Sequence, residues 1–399
     1  MNISKTTMVF EVAASKLDSL ILFLKSVVLR DRFWALRVGV IVQLFGLFVS
    51  FPSYDLYIFP NQLVLKNWGA LNNQFLHPLT ALPFAPNEHY GQIGMRLTLP
   101  IISYLLHLRV SFWLAFQPFL GMAFMGILAK EVEKLCSSRL VAFVLCLGLA
   151  ATYVGKSFWV DVIGYFDGYG FFLLLVACVN RNPFALISLI VAACFVDERS
   201  YVVLPLVALY QLVRYEPFNF RASFIVKKVW PFAVAIMVSL CIRYFVGHHF
   251  HLFPPTEYSE SVGLNVIREN YKSIPILYLG ALDAYWLCFV YLGAALWLIR
   301  QRALSVLFAL YSVVAIGVIL IVLDVTRAGA YFFPVVLCFI AVLYRQEQRK
   351  NANATLATLT GMALFIPPIF SVGNTHIWMD PALPEIIKLG YKILTGHKL

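Results

Sequence analysis

Acids and arginines carry the chemistry open to this chain. Asp55 stands in FPSYDLYIFP, and Glu88, His89 and Arg96 follow in a proline-rich stretch. Asp161 and Asp167 lie in WVDVIGYFDGYG. Asp197, Glu198 and Arg199 are consecutive in FVDERSYVVLP, and Arg243 precedes a histidine cluster. Asp324 and Arg327 lie in LDVTRAGAYFFP. A carboxylate can take a proton from an attacking hydroxyl. An arginine can hold a phosphate through its planar fork, and its field favours a charged leaving group as it develops. Carboxylates interspersed with arginines therefore suit chemistry on an anionic, lipid-linked substrate. The catalytic candidates are Asp55, Asp161, Asp167, Asp197 and Glu198. The substrate-binding candidates are Glu88, His89, Arg96, Arg199, Arg243, Asp324 and Arg327.

A plainer account competes for each residue. Any single acid at a helix end could be a solvated cap. Asp197, Glu198 and Arg199 are flanked tightly by apolar runs, yet a local ion pair holding a helix hairpin would leave the same pattern. Asp324 and Arg327 are spaced i, i+3 and can pair on one helical turn. His248, His249 and His251 have no cysteine or close acid to complete a metal set, so the expectation is an interfacial loop and no metal. The seven cysteines form no CxxC pair, which argues against a disulfide framework or zinc site. No P-loop, GxGxxG, HExxH or GxSxG is present, so no nucleotide-driven transport and no cofactor is expected.

The elements that must position these residues are membrane helices. Of 399 residues, 61% are hydrophobic and 13% charged, with mean hydropathy +0.80. A soluble domain is about 25% charged. The expected fold class is an all-α, polytopic transmembrane bundle of about 11 spans. The apolar runs are 34–53, 109–130, 139–157, 165–179, 183–197, 200–214, 229–247, 276–299, 303–323, 328–345 and 353–373. Those at 165–179, 183–197 and 200–214 are too short for a perpendicular crossing. The stretch 97–107 reads as a re-entrant or interfacial helix, or the start of the next span. Asp283 reads as about two turns inside a helix.

The net charge of +11 is not a nucleic-acid signature, because lysines and arginines sit in short runs between apolar segments. Lys130, Lys134, Arg139, Arg181, Arg214, Arg300, Arg302, Arg345 and Arg349 fall in alternate loops, which places those loops and the N-terminus in the cytoplasm. No cleavable signal peptide is expected. The domain reading is a cytoplasmic amphipathic segment over 1–33, a transmembrane domain over 34–373 and an outer tail over 374–399. The long outer loops are 54–98 and 248–275, the first with room for an amphipathic helix around Gln62 to Leu71. The chemistry-bearing residues then gather toward the outer ends of many spans, where ionisable groups usually face a cavity, partner or substrate path.

On those residues the chain resembles the GT-C superfamily of polytopic membrane glycosyltransferases. Asp55 occupies the position of that family's first catalytic acid. DVIGYFDGYGFFLLLVACVNRNP, followed by CFVDERSYVVLPLVAL, looks like the central helices of bacterial members. The segment TRAGAYFFP looks like a late outer-end segment. The resemblance implies a polyprenyl-phosphate-linked sugar donor and a glycan, lipid or protein acceptor at the non-cytoplasmic face of a bacterial inner membrane. Asp55 would be the base, with Asp161, Asp167 or Asp197 as the fallback, and Arg199, Arg243 and Arg327 would meet the carrier phosphate. Two other classes fit the same pattern: a transporter or flippase of lipid-linked or amphiphilic solutes, and a surface-polysaccharide polymerase or ligase.

Overall fold

Capping residues and prolines set the ends of the helices. In the computed structural model the described residues are 21–50, 60–80, 94–214, 222–252, 280–322, 324–366, 369–372, 375–378 and 382–395, with a few isolated positions besides. After a π-helical turn over Leu24–Val28 come α1 (Trp34–Val49), α2 (Gln62–Leu76), α3 (Thr98–Leu106) and α4 (Val110–Cys136). Then follow α5 (Arg139–Ala151), α6 (Tyr153–Val160), α7 (Asp167–Val179), α8 (Pro183–Val196), α9 (Ser200–Val213) and α10 (Ala222–His249). A 3-10 turn over Asp283–Trp286 leads into α11 (Leu287–Leu298), before α12 (Arg302–Leu320), α13 (Val325–Ala330), α14 (Pro334–Gln346) and α15 (Arg349–Phe365). Asn61 opens α2 by accepting from Val64 N at 2.9 Å, and Asn182 opens α8 just before Pro183.

Among the described residues five helices are long and apolar enough to cross a bilayer: Val110–Cys136, Ile225–His249, Gly280–Leu298, Arg302–Leu320 and Val325–Gln346. The pair α5 and α6, bent by 61°, adds a sixth if it is one crossing. The chain is thus a polytopic helical membrane protein. Helix α14 is its central pillar, buried from Pro334 to Leu343. Helices α10 and α12 are peripheral, with Met237, Leu240, Phe245, Leu307, Leu310 and Val313 exposed.

The end of the last apolar run differs from the sequence expectation. The run 353–373 does not form one span, because α15 stops at Phe365 and Ile369–Val372 pairs antiparallel with Thr375–Trp378. Pro367 and Pro368 account for this, since proline cannot continue a helix and disfavours helical geometry in the residue before it. The all-α class holds, with this short hairpin the one strand pair among the described residues. An amphipathic helix, α16 (Ala382–Thr395), follows it. The amphipathic helix expected near Gln62 is α2, and the apolar stretch 97–107 is α3, packed against α2 and α8.

Basic residues at one end of the bundle cap helical carbonyls of neighbouring segments. Arg139 donates to Leu29 O and Arg30 O at 2.7 and 3.1 Å, and Arg349 donates to Cys136 O at 3.0 Å. Arg214 reaches Cys178 O, while Gln211 Nε2 donates to the carbonyls of Ala177, Cys178 and Asn180 at 2.8–2.9 Å. The last carbonyls of a helix lack intrahelical donors, and cations there also suit the helix dipole. Ahead of α1, the Phe33 N–H and the Arg37 guanidinium hold the Asp31 carboxyl below the usual range.

Helix lengths then fix the depth of the opposite end. Helices α7, α8 and α9 have 13, 14 and 14 residues and span about 20 Å each, against about 40 Å for the 27-residue α4. A hydrocarbon core is about 30 Å thick. Three adjacent helices that share the basic end therefore stop short at the other, and irregular backbone at such depth must be enclosed by protein.

Helices α1 and α4 touch at backbone distance. A Cβ on Gly39 would overlap the Met122 carbonyl, and one on Gly126 would lie 3.0 Å from Ala35 O. Small residues at a helix crossing permit this approach. Gly39→Ala is expected to cost about 1–3 kcal/mol through overpacking. Gly69→Ala, where nothing lies within 4 Å of the new Cβ, should be neutral or stabilising. Thermal unfolding of both variants in detergent checks the contrast, and equal melting temperatures would refute the close crossing.

Candidate functional site

At the recessed end, four separate chain segments bring charges into one cluster. Asp167 is the first residue of α7. Asp197, Glu198 and Arg199 form the turn between α8 and α9, Asp324 and Arg327 flank and enter α13, and Arg96 precedes α3. Arg327 grips Asp167 with two bonds, Nε to Oδ2 at 2.5 Å and Nη2 to Oδ1 at 3.0 Å. Its Nη1 reaches Asp324 Oδ2 at 2.7 Å. Arg199 joins Asp197 at 3.3 Å, Asp324 at 3.6 Å and Asp167 at 3.9 Å. Arg96 joins Asp197 and Glu198, both at 3.0 Å.

Aromatic hydroxyls and rings complete the enclosure. Tyr153 on α6 donates to Asp167 Oδ2 at 3.0 Å and Tyr331 donates to Oδ1 at 3.4 Å. The Tyr165 ring stacks on the Arg327 guanidinium, 3.8 Å from its centroid. Gly170 makes room for Tyr331, whose hydroxyl would lie 2.7 Å from a Cβ there. Gln74 of α2 donates to Gly94 O at 3.3 Å and Arg96 O at 3.5 Å, which ties α2 to the segment that carries Arg96.

Burial separates two kinds of member. The side chains of Asp167, Asp197 and Arg327 have zero exposure. Arg96, Asp324, Arg199 and Glu198 are 10%, 12%, 13% and 46% exposed. The first three hold the cluster; the other four form its accessible edge. Arg199 Nε is buried with no hydrogen-bond partner among the described residues, so one donor of the edge is uncommitted. Three guanidinium charges face four carboxylates, so the cluster carries no cationic surplus.

Seven of the twelve sequence candidates meet here: Asp167, Asp197, Glu198, Arg96, Arg199, Asp324 and Arg327. Asp161 has a different position. Its Oδ1 accepts from Gly164 N and Tyr165 N at 2.9 Å and its Oδ2 from Phe166 N at 2.5 Å. It thereby shapes the loop in which Gly164 and Phe166 take positive φ, 96° and 61°, just before Asp167. Arg243 caps α8 by donating to Cys194 O at 2.7 Å, between the rings of Phe195 and Tyr201. Asp55, Glu88 and His89 lie outside the described residues. No group of three or more possible metal ligands occurs among the described residues.

Sequence reasoning passed over Lys156. It is buried on α6 and attracted electrostatically to the buried Asp283. Asp283 opens the 3-10 turn at a left-handed φ of 49°, within the apolar segment Gly280–Leu298; the residues just before Gly280 lie outside the described residues. Asp tolerates this geometry better than most residues. Its Oδ2 has no hydrogen-bond partner among the described residues. The lysine's signal was present in the sequence, as a charge enclosed by the apolar run 139–157.

Comparison with known proteins finds no match of this chain to a family model, a curated protein or a solved structure.

Removing one partner of a buried ion pair typically costs about 3–5 kcal/mol because the other charge stays uncompensated. Arg327→Gln and Asp167→Asn are each expected to destabilise the bundle on that scale. The double variant should be less destabilised than the sum of the singles. Thermal unfolding of the three variants in detergent measures the coupling, and additive losses would rule it out.

Proposed function

We propose that this protein is a membrane glycosyltransferase of the GT-C type, moving a sugar from a polyprenyl-phosphate carrier to a glycan, lipid or protein hydroxyl. The observation that carries the proposal is the accessible edge of the buried cluster, where Glu198, Asp324, Arg96 and Arg199 come together at one end of the bundle. In this reading the chain crosses a bacterial inner membrane about eleven times. Its N-terminus and basic loops are cytoplasmic, and the cluster faces the other side.

The chemistry is a single displacement. The acceptor hydroxyl loses its proton to a carboxylate as its oxygen bonds to the anomeric carbon. The bond from that carbon to the phosphate oxygen breaks, the configuration inverts, and the lipid phosphate leaves with the electron pair. Among the described catalytic candidates only Glu198 has a carboxylate with substantial access; Asp167 and Asp197 are enclosed and Asp161 is bound to loop amides. The proton acceptor is therefore Glu198 or Asp55, the latter on family likeness. Arg199, 13% exposed at that edge, is the cation offered to the phosphate.

One observation favours a second reading. The buried Lys156 and Asp283, with Oδ2 of Asp283 unpaired among the described residues, suit a transporter or flippase of lipid-linked or amphiphilic solutes. Labelled lipid-linked sugars supplied to the purified protein test both. A covalent product is expected, with transfer lowered about 100-fold or more in Glu198→Gln or in Asp55→Asn, whichever residue is the base. Substrate flux into proteoliposomes with no covalent product would overturn the transferase reading. Full activity in both variants would remove both residues from the proton-acceptor role.

A further inference from the structure

A cavity of about 610 Å³ opens between α2, α4 and α6, on a different wall of the bundle from the ionic cluster's edge. Its walls are mainly apolar, with Trp68, Ala115, Phe158 and Trp159 among them. It reaches from Arg109 to Pro118, about 13 Å along α4 at 1.5 Å per residue. The mouth is at the cluster end of the bundle, because Tyr169, close to the start of α7, donates to Trp113 O at 2.6 Å. Beside it runs the exposed stripe Phe112, Phe116 and Phe119, so the opening is lateral, toward lipid.

Polar groups stand at two levels. Arg109 lines the mouth, is exposed, and has no ion pair or side-chain hydrogen bond among the described residues. No acid lines the cavity among the described residues. Deeper, Gln117 donates its Nε2 to Ser157 O and Asp161 O at 3.4 and 3.3 Å, while its buried Oε1 has no partner among the described residues. Proline has no N–H, so Pro118 also leaves the Leu114 carbonyl in the same wall without its usual helical donor.

We infer that this cavity holds an anionic phospholipid of the surrounding membrane, its phosphate at Arg109 and its chains along the apolar wall. Charge complementarity selects this occupant: a cation with no counter-charge among the described residues tops an apolar slot that opens sideways. The glycerol and ester region then lies below the mouth. This inference is independent of the glycosyltransferase proposal and can hold if that fails.

Native mass spectrometry of the full chain, purified with added phosphatidylglycerol, phosphatidylcholine or diacylglycerol, tests it. One phosphatidylglycerol should be retained more tightly than zwitterionic phosphatidylcholine or uncharged diacylglycerol. Arg109→Glu should weaken that retention about tenfold or more, since the substitution removes the attracting cation and puts a repelling carboxylate in its place. Ala115→Trp, at an exposed wall position, should fill the slot and abolish retention without loss of fold. In wild type, brominated-chain phosphatidylglycerol should quench a fluorescence component that Trp68→Phe removes. Equal retention in wild type, Arg109→Glu and Ala115→Trp would mean loosely associated boundary lipid only and would overturn the inference. Retention that ignores the head charge would overturn it as well.

Discussion

A guanidinium withdrawn from water must find its counter-charge inside the protein, and Arg327 sets that condition for the whole bundle. Desolvating an ion costs several kcal/mol even after relaxation. Two bonds to Asp167 and one to Asp324 offset that cost, with hydroxyls from Tyr153 and Tyr331 filling the remaining positions on Asp167. These contacts draw on separate segments. Satisfying one arginine therefore fixes α6, α7 and α13 relative to one another, and Arg199 and Arg96 extend the linkage to the α8–α9 turn and the segment that precedes α3.

Short helices make the arrangement possible. If α7, α8 and α9 were of full crossing length, their charged ends would lie in headgroups and water, where an ion pair is worth little. Ending early, they carry Asp167, Asp197 and Arg199 to a depth at which charges must pair. At the other end of the bundle arginines bind backbone as well as carboxylates, Arg139 pairing with Glu133 at 2.9 Å. There Arg139, Arg214 and Arg349 bind carbonyls, so the excess of basic residues in the short loops also ties neighbouring helices together. Arg243 performs the same service alone at the cluster end, which is why its position in the sequence, close to a histidine cluster, misrepresents its role.

The helical membrane fold was legible because composition and apolar run length are local properties. Asp197, Glu198 and Arg199 stood out because charges compressed between apolar runs must either pair or reach water, and Asp324 with Arg327 because of their i, i+3 spacing. What was not legible is pairing across the chain. Nothing local joins Asp167 to Arg327, 160 residues away, and nothing distinguishes Asp161, which binds backbone amides, from Asp167, which binds a guanidinium. Lys156 was hidden by the apolar run that encloses it. The hairpin after α15 was missed because apolar composition outweighed Pro367 and Pro368 in setting that run's end.

The separation between Asp167 and Arg327 has a consequence for the making of the protein. Chains emerge at about 5–20 residues per second, so the acid leaves the ribosome roughly 8–30 seconds before the cation that neutralises it. During that interval α7 is a 13-residue helix with a carboxylate at its first position, too short to draw that charge through a bilayer. It can wait at the interface, shallow and loosely held, until α13 and α14 arrive. The brevity that recesses the site in the finished protein thus also keeps its first charge near water while the chain is incomplete.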